Sequence, residues 1–156
     1  MRGFLVRNEA ASLTNPKMLE PENSEPTFSK RAARRMIQRA FVLSGRNKAL
    51  RQHIRETELT TLWVLEDWNM TWTVFLARGR FEFERRPAKQ PDVTLYWSTA
   101  KEFFAQAERP GEGNVEVEIS PVEGHRRFFE PLLRGYFNSL RQVLSNPVDD
   151  VGESLL

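Results

Sequence analysis

The run from Pro91 to Phe104, PDVTLYWSTAKEFF, constrains the fold more than any other stretch of the chain. Its first half alternates. Val93, Leu95 and Trp97 share one face of an extended strand, and Asp92, Thr94 and Tyr96 share the other. Ser98 or Thr99 then caps a helix, with Glu102 as the return half of a capping box. The helix turns Phe103, Phe104 and Ala107 toward the sheet. A strand feeding directly into an amphipathic helix makes a wide aromatic and aliphatic surface. Such a surface suits a greasy ligand better than a reaction.

The same patterning extends on both sides. Residues 1–28 hold Pro16, Pro21 and Pro26 and no sustained period, and they read as a flexible arm. An apolar stripe of Met36, Ile37, Ala40, Phe41 and Leu43 predicts a helix from Ser29 to Leu43, stopped by Ser44-Gly45. Asn47 to His53 predicts a further short helical turn. Strands follow over Thr57–Glu66, Thr71–Ala77 and Phe81–Glu84, joined by turns at Asp67-Trp68-Asn69 and Arg78-Gly79-Arg80. After a break at Pro110–Gly113, Asn114 to Ser120 alternates again. Glu123 to Ser145 carries apolar residues at three and four, with Pro131 as a kink or a second start, and Asn146-Pro147 as the stop. The expected organisation is an arm over 1–28, a domain over 29–146 and a frayed tail over 147–156. The expected class is α+β, an antiparallel-rich sheet of about five strands with helices packed on one face.

Composition narrows the chemistry. The 156 residues suffice for one domain with a real core, and no cysteine offers a disulfide or a thiolate. His53 and His125 are the only histidines, and neither stands at metal-ligand spacing from another. The glycines Gly79, Gly111 and Gly113 lack the strand, lysine and helix of a phosphate loop. No catalytic residue, metal site or cofactor is therefore expected. The apolar stretch at residues 1–6 is too short for a secretory leader, and a cytoplasmic location is the expectation.

Charge is distributed unevenly. Between Glu25 and Glu56 stand nine bases and no acid, whereas from Glu56 onward 11 bases face 17 acids. Arg31, Arg34, Arg35 and Arg39 interleave with the apolar stripe of the first helix, as in a helix lying on an anionic membrane. The same charges could pair with the acidic sheet or meet nucleic acid. Nothing beyond charge supports nucleic acid, so it is not favoured. The rings and aliphatics of the central strands and last helix either fill a core or line a tunnel between sheet and helices.

Residues 57–130 resemble the sterol carrier protein type two lipid-transfer family in the order of three segments. These are TWTVFLARGR at Thr71–Arg80, PDVTL at Pro91–Leu95 followed by a Ser/Thr-capped helix, and GNVEVEI at Gly113–Ile119 leading into a closing helix. The resemblance implies a sheet and helices enclosing an apolar tunnel for a fatty acid, fatty acyl-CoA, sterol or isoprenoid lipid. It implies carriage rather than catalysis. On this basis Trp63, Trp72, Val74, Phe83, Leu95, Trp97, Phe103, Phe104, Phe129, Leu133 and Phe137 are candidate ligand-binding residues. The chain departs from the family in a loop at 108–113 where a second short helix is usual, which makes the tunnel shallower or open at that end. Its longer, more aromatic last helix could plug the cavity or form a homodimer face through Phe137 and Leu140. The alternative expectation is therefore an accessory or dimerisation module with a filled cavity, such as a lipid-presenting subunit in isoprenoid quinone biosynthesis.

Overall fold

The structure, a computed structural model, describes residues 28–109, 116–119 and 126–156. The expected arm up to residue 27, the break at Pro110–Gly113, His125 and the Phe129 side chain lie outside the described residues. Elements run in the order α1 (Lys30–Arg46), α2 (Lys48–His53), β1 (Glu58–Leu65), β2 (Met70–Ala77), β3 (Arg80–Glu84), β4 (Val93–Trp97), α3 (Ala100–Glu108), β5 (Glu116–Ile119) and α4 (Arg126–Ser145). The strands form one sheet in the order β3-β2-β1-β4-β5. This sheet is mixed, which corrects the antiparallel-rich expectation. β1 pairs in parallel with β4, Trp63 beside Leu95, while β2 and β3 form an antiparallel meander on the other side of β1. Alternation within a strand is the same for either direction of pairing. The direction here follows from the route of the chain, which leaves β3 and returns past β1 to lay down β4.

Alternation decides what the sheet buries. Leu59, Thr61, Trp63 and Leu65 are buried on β1, while Thr60, Leu62 and Val64 on its other face are half-buried. Register continues the buried face across the sheet: Trp63 lies beside Trp72, Thr61 beside Val74, and Val74 beside Phe83. The helices cover this face. α1 and α4 approach closely because small residues line their contact. Ser44 Oγ donates to Ala40 O at 2.8 Å and lies 3.3 Å from Ser139 Oγ. Leu50 of α2 fits against Gly135, where an added Cβ would stand 3.2 Å from its Cδ2.

Local chemistry sets the ends of the elements. Ser29 caps α1 by accepting from Ala32 N at 3.1 Å. Asn47 ends α1 and starts α2, its side chain accepting from Leu50 N at 2.9 Å. The expected stop at Ser44-Gly45 is passed, and α1 continues to Arg46. Gly45 is small because Phe81 lies over it, 3.4 Å from where a Cβ would project. The predicted capping unit at the start of α3 resolves to Thr99, which accepts from Glu102 N at 3.1 Å and donates to its carboxylate at 3.4 Å. Asp67 adds a second anchor by accepting from Ala100 N at 3.0 Å. Pro131 stands inside α4 rather than at a break.

The β2–β3 connection is a two-residue turn in which both Arg78 (φ 54°) and Gly79 (φ 86°) are left-handed, as a type I′ hairpin requires. An added Cβ at Gly79 would meet nothing nearer than Arg55 Cα at 3.8 Å, so its cost is conformational. Gly79→Ala is expected to destabilise by about 1–2 kcal/mol in urea unfolding, with an unchanged denaturant slope.

The tail after Pro147, expected to fray, is folded. Val148 and Ser154 form a bridge, Leu155 N donates to Pro147 O at 2.8 Å, and Leu155 is buried. Asp150 fastens the tail to α1. Arg46 grips its carboxylate with two N–H groups, each at 2.8 Å, and Arg39 adds a third at 2.8 Å. These hydrogen bonds, Arg46 first, hold the Asp150 carboxyl well below its ordinary range. A carboxylate depressed by folding contributes stability above its unfolded pKa and loses it as pH falls through the folded one. Asp150→Asn is therefore expected to unfold at lower urea than the parent at pH 7. The two transitions should converge as pH is lowered below the usual carboxylate range.

Candidate functional site

The expected ligand-binding residues fall into three groups. Trp63, Trp97, Phe103 and Phe137 meet in one aromatic layer between sheet and helices, joined by Phe41 and Tyr136, which were not among the expected residues. Phe41 of α1 lies 5.2 Å from Trp63 and 4.7 Å from Tyr136, and Trp63 lies 5.5 Å from Trp97. Phe103 of α3 stands 5.0 Å from Trp97 and 5.2 Å from Phe137 of α4. Most of these pairs are edge-to-face, the geometry favoured by ring quadrupoles. Rings from the sheet and from three helices thus touch across the gap.

Trp72, Val74 and Leu95 form the buried sheet surface beneath, with Phe83 half-buried toward the β3 edge. Phe104 extends the layer at its far end, 5.4 Å from Phe103, 5.1 Å from Phe28 and 6.5 Å from Trp68. Leu133 is half-buried on α4. Phe137 and Leu140 are buried inside the chain, which corrects the homodimer face expected from them. Around them on α4, Glu130, Arg134, Asn138, Arg141 and Gln142 are exposed.

Polar atoms in the layer are few and mostly paired. Tyr136 Oη donates to Ile37 O at 3.1 Å, and burial pushes its hydroxyl pKa upward. Trp63 Nε1 donates to Thr61 Oγ1 at 2.8 Å, and Thr61 Oγ1 donates in turn to Val74 O at 3.1 Å. Among the described residues, Trp97 Nε1 is buried without an acceptor. An unmade hydrogen bond there costs about 1–3 kcal/mol.

An open slot reaches this layer from the side. It lies between α1 and β3, holds about 400 Å³, and is lined by Phe41, Val42, Gly45, Arg46, Phe81, Glu82 and Phe83. Phe41 belongs to both slot and layer: it lies 5.1 Å from Phe83, 6.3 Å from Phe81 and 4.7 Å from Tyr136. The volume falls within the few hundred Å³ typical of small-molecule sites. Phe83 was expected here, and Phe81 stood with it among the strand rings read as core or lining; Phe41 and Val42 did not. Their apolar periodicity was legible, but which helix lies along the β3 edge was not.

The four arginines expected to dock on a membrane divide. Arg31 and Arg35 are exposed and Arg34 is half-buried. Arg39 is corrected out of that set, because its side chain is only 16% exposed and is bonded to Asp150. Among the described residues, no three His, Cys, Asp or Glu side chains gather as metal ligands. No described helix is long and apolar enough to cross a membrane.

No protein-family model matches the chain. No curated protein matches it either. Among solved structures, the chain is similar to a conserved hypothetical protein from Thermus thermophilus, described as possibly a sterol carrier protein. The alignment covers 77% of this chain and 91% of that one, with a TM-score of 0.50 and 11% identity. A likeness at that identity is one of fold. A stereoselective inverting sec-alkylsulfatase from Pseudomonas sp. aligns with 51% of this chain at 19% identity and a TM-score of 0.42. The chain spans only 14% of the sulfatase, and the overlap is too loose to define a fold.

Proposed function

We propose that this protein binds and carries a hydrophobic small molecule of the lipid class without transforming it. The observation that carries the reading is the slot between α1 and β3, an apolar opening floored by Phe41, Phe81 and Phe83 and continuous through Phe41 with the buried rings. A guest entering there would exchange water for aromatic walls, a gain of about 0.8 kcal/mol per methylene before association costs. Deeper entry, toward the residues expected to line a tunnel, would require the α1, α3 and α4 rings to part. Trp97 Nε1, which has no acceptor among the described residues, would then donate to a hydroxyl or carbonyl oxygen of the guest. A fatty acid, a sterol and an isoprenoid lipid all carry such an oxygen or can be bound without one. Arg31, Arg34 and Arg35 form the basic face through which the loaded protein would meet an anionic membrane.

The sterol-carrier suggestion made for the Thermus protein supports this reading through shared fold. The test is native mass spectrometry of the purified protein, together with titration of a fluorescent long-chain fatty acid followed by tryptophan quenching. Retained lipid or saturable quenching is the expected result. The absence of both overturns the reading.

A second reading, an accessory module that serves a partner protein through a solid body, is favoured by one observation: among the described residues, rings of the sheet and of three helices touch across the layer. It expects no apolar ligand and unchanged tryptophan fluorescence in the same titration.

A further inference from the structure

A second cleft, of about 340 Å³, opens where α2 meets the β2–β3 turn. Its walls carry five cations. Lys48, Arg51 and Arg55 come from α2 and its end, and Arg78 and Arg80 flank Gly79 in the turn. The two elements touch, because a Cβ on Gly79 would stand 3.8 Å from Arg55 Cα and 3.9 Å from Arg51 O. All five basic side chains are on exposed residues. Lys48, Arg51 and Arg55 make no ion pair among the described residues. Arg78 bonds Glu58 at 3.0 Å and Arg80 bonds Glu82 at 3.1 Å, with all four side chains at least 62% exposed. Such pairs are weak and readily exchanged.

Five exposed cations lining one cleft repel one another. Arg78 itself is held at positive φ, where asparagine or glycine is the usual occupant. A bound dianion would relieve the repulsion. Guanidinium groups match the oxygens of a phosphate in parallel pairs, which a single carboxylate does not saturate when three or four converge. We infer that the cleft between α2 and the β2–β3 turn binds a phosphate monoester or diphosphate group.

That chemistry has two sources, a soluble phosphorylated molecule or the head of a lipid. The cleft adjoins the apolar slot: Arg80 precedes Phe81, and Arg46, which lines the slot, lies two residues before Lys48. The phosphate inference stands whether or not the slot holds a guest.

The experiment titrates the full chain at low ionic strength with inorganic pyrophosphate, dodecyl phosphate and dodecanol. It compares the parent with Arg51→Gln/Arg55→Gln and with the control Arg85→Gln/Arg86→Gln, two arginines outside both the cleft and the slot. All four positions are exposed, and circular dichroism confirms folding. Pyrophosphate is expected to bind saturably, about tenfold more weakly to the cleft variant and within about twofold of the parent to the control. Dodecyl phosphate binding at least about tenfold tighter than pyrophosphate assigns the group to a lipid head, and equal binding assigns it to a soluble molecule. Failure of both phosphates to saturate, or equal weakening in the two variants, overturns the inference. Dodecanol alone reports on the apolar slot, so its failure leaves the phosphate result intact and counts against the carrier reading only.

Discussion

Trp63→Ala is expected to remove about 3–5 kcal/mol of stability, the range for a large aromatic deleted from a packed interior. Trp63 is only 2% exposed and sits in the middle strand of the sheet. Its ring meets Phe41 at 5.2 Å, Tyr136 at 4.8 Å and Trp97 at 5.5 Å, so truncation leaves three rings facing a void. The surroundings cannot close it easily. α1 and α4 are held at their spacing by the Ser44–Ser139 contact and by Tyr136 donating to Ile37 O. Thr61 would also lose the indole donor, although it keeps its own bond to Val74 O. Since single domains are stable by about 5–15 kcal/mol, this one substitution brings the protein near its limit. Urea unfolding followed by circular dichroism measures it. A loss below about 1 kcal/mol would mean that the layer is loosely packed, contrary to the ring contacts described.

Phe83→Asp is expected to weaken binding of a long-chain apolar ligand by about tenfold or more while leaving the fold in place. Phe83 is half-buried on β3, at the edge of the sheet, so a carboxylate there keeps access to water. In the slot, however, it puts a charge where the Phe41 ring, 5.1 Å away, now faces another ring, beside the existing Glu82. A hydrocarbon chain would have to strip water from that charge to lie against the wall. Phe104→Leu serves as a comparison, since Phe104 packs on Phe28 and Trp68 away from the slot. It should alter stability more than affinity. The reverse order would move the binding site from the α1–β3 slot to the far end of the layer.

Much of this fold was legible because it depends on local rules. Alternation placed Val93, Leu95 and Trp97 on one face of their strand, and the register sets Leu95 beside Trp63 and Trp97 beside Leu65 on the buried side. The Thr99 cap and the turn at Gly79 followed from residue chemistry at single positions. What depended on distant segments was not legible. Parallel pairing of β1 with β4 leaves no mark on either strand alone. Gly45 read as a helix stop because the reason for a glycine there, the approach of Phe81, comes from a distant strand. The tail read as frayed because its anchor, Asp150, has partners on α1. Phe137 read equally well as lining, plug or dimer face, since an amphipathic helix shows that it has an apolar side but not what covers it.

The binding site divides in the same way. Sequence identified the apolar material, and the described rings among those it singled out largely come together. It could not say whether they would stand apart or touch, because that depends on how closely three helices approach the sheet. Small residues on these helices, Ser44 and Ser139 where α1 meets α4 and Gly135 where α2 meets α4, were the available signal for close approach.

Binding at the α1–β3 slot is tested most directly by titrating isotope-labelled protein with dodecanol and following every backbone amide by NMR. Saturable shifts concentrated at Phe41, Val42, Gly45 and Phe81–Phe83 are the predicted result. Shifts confined to other surfaces, or none up to the solubility of the alcohol, would contradict it.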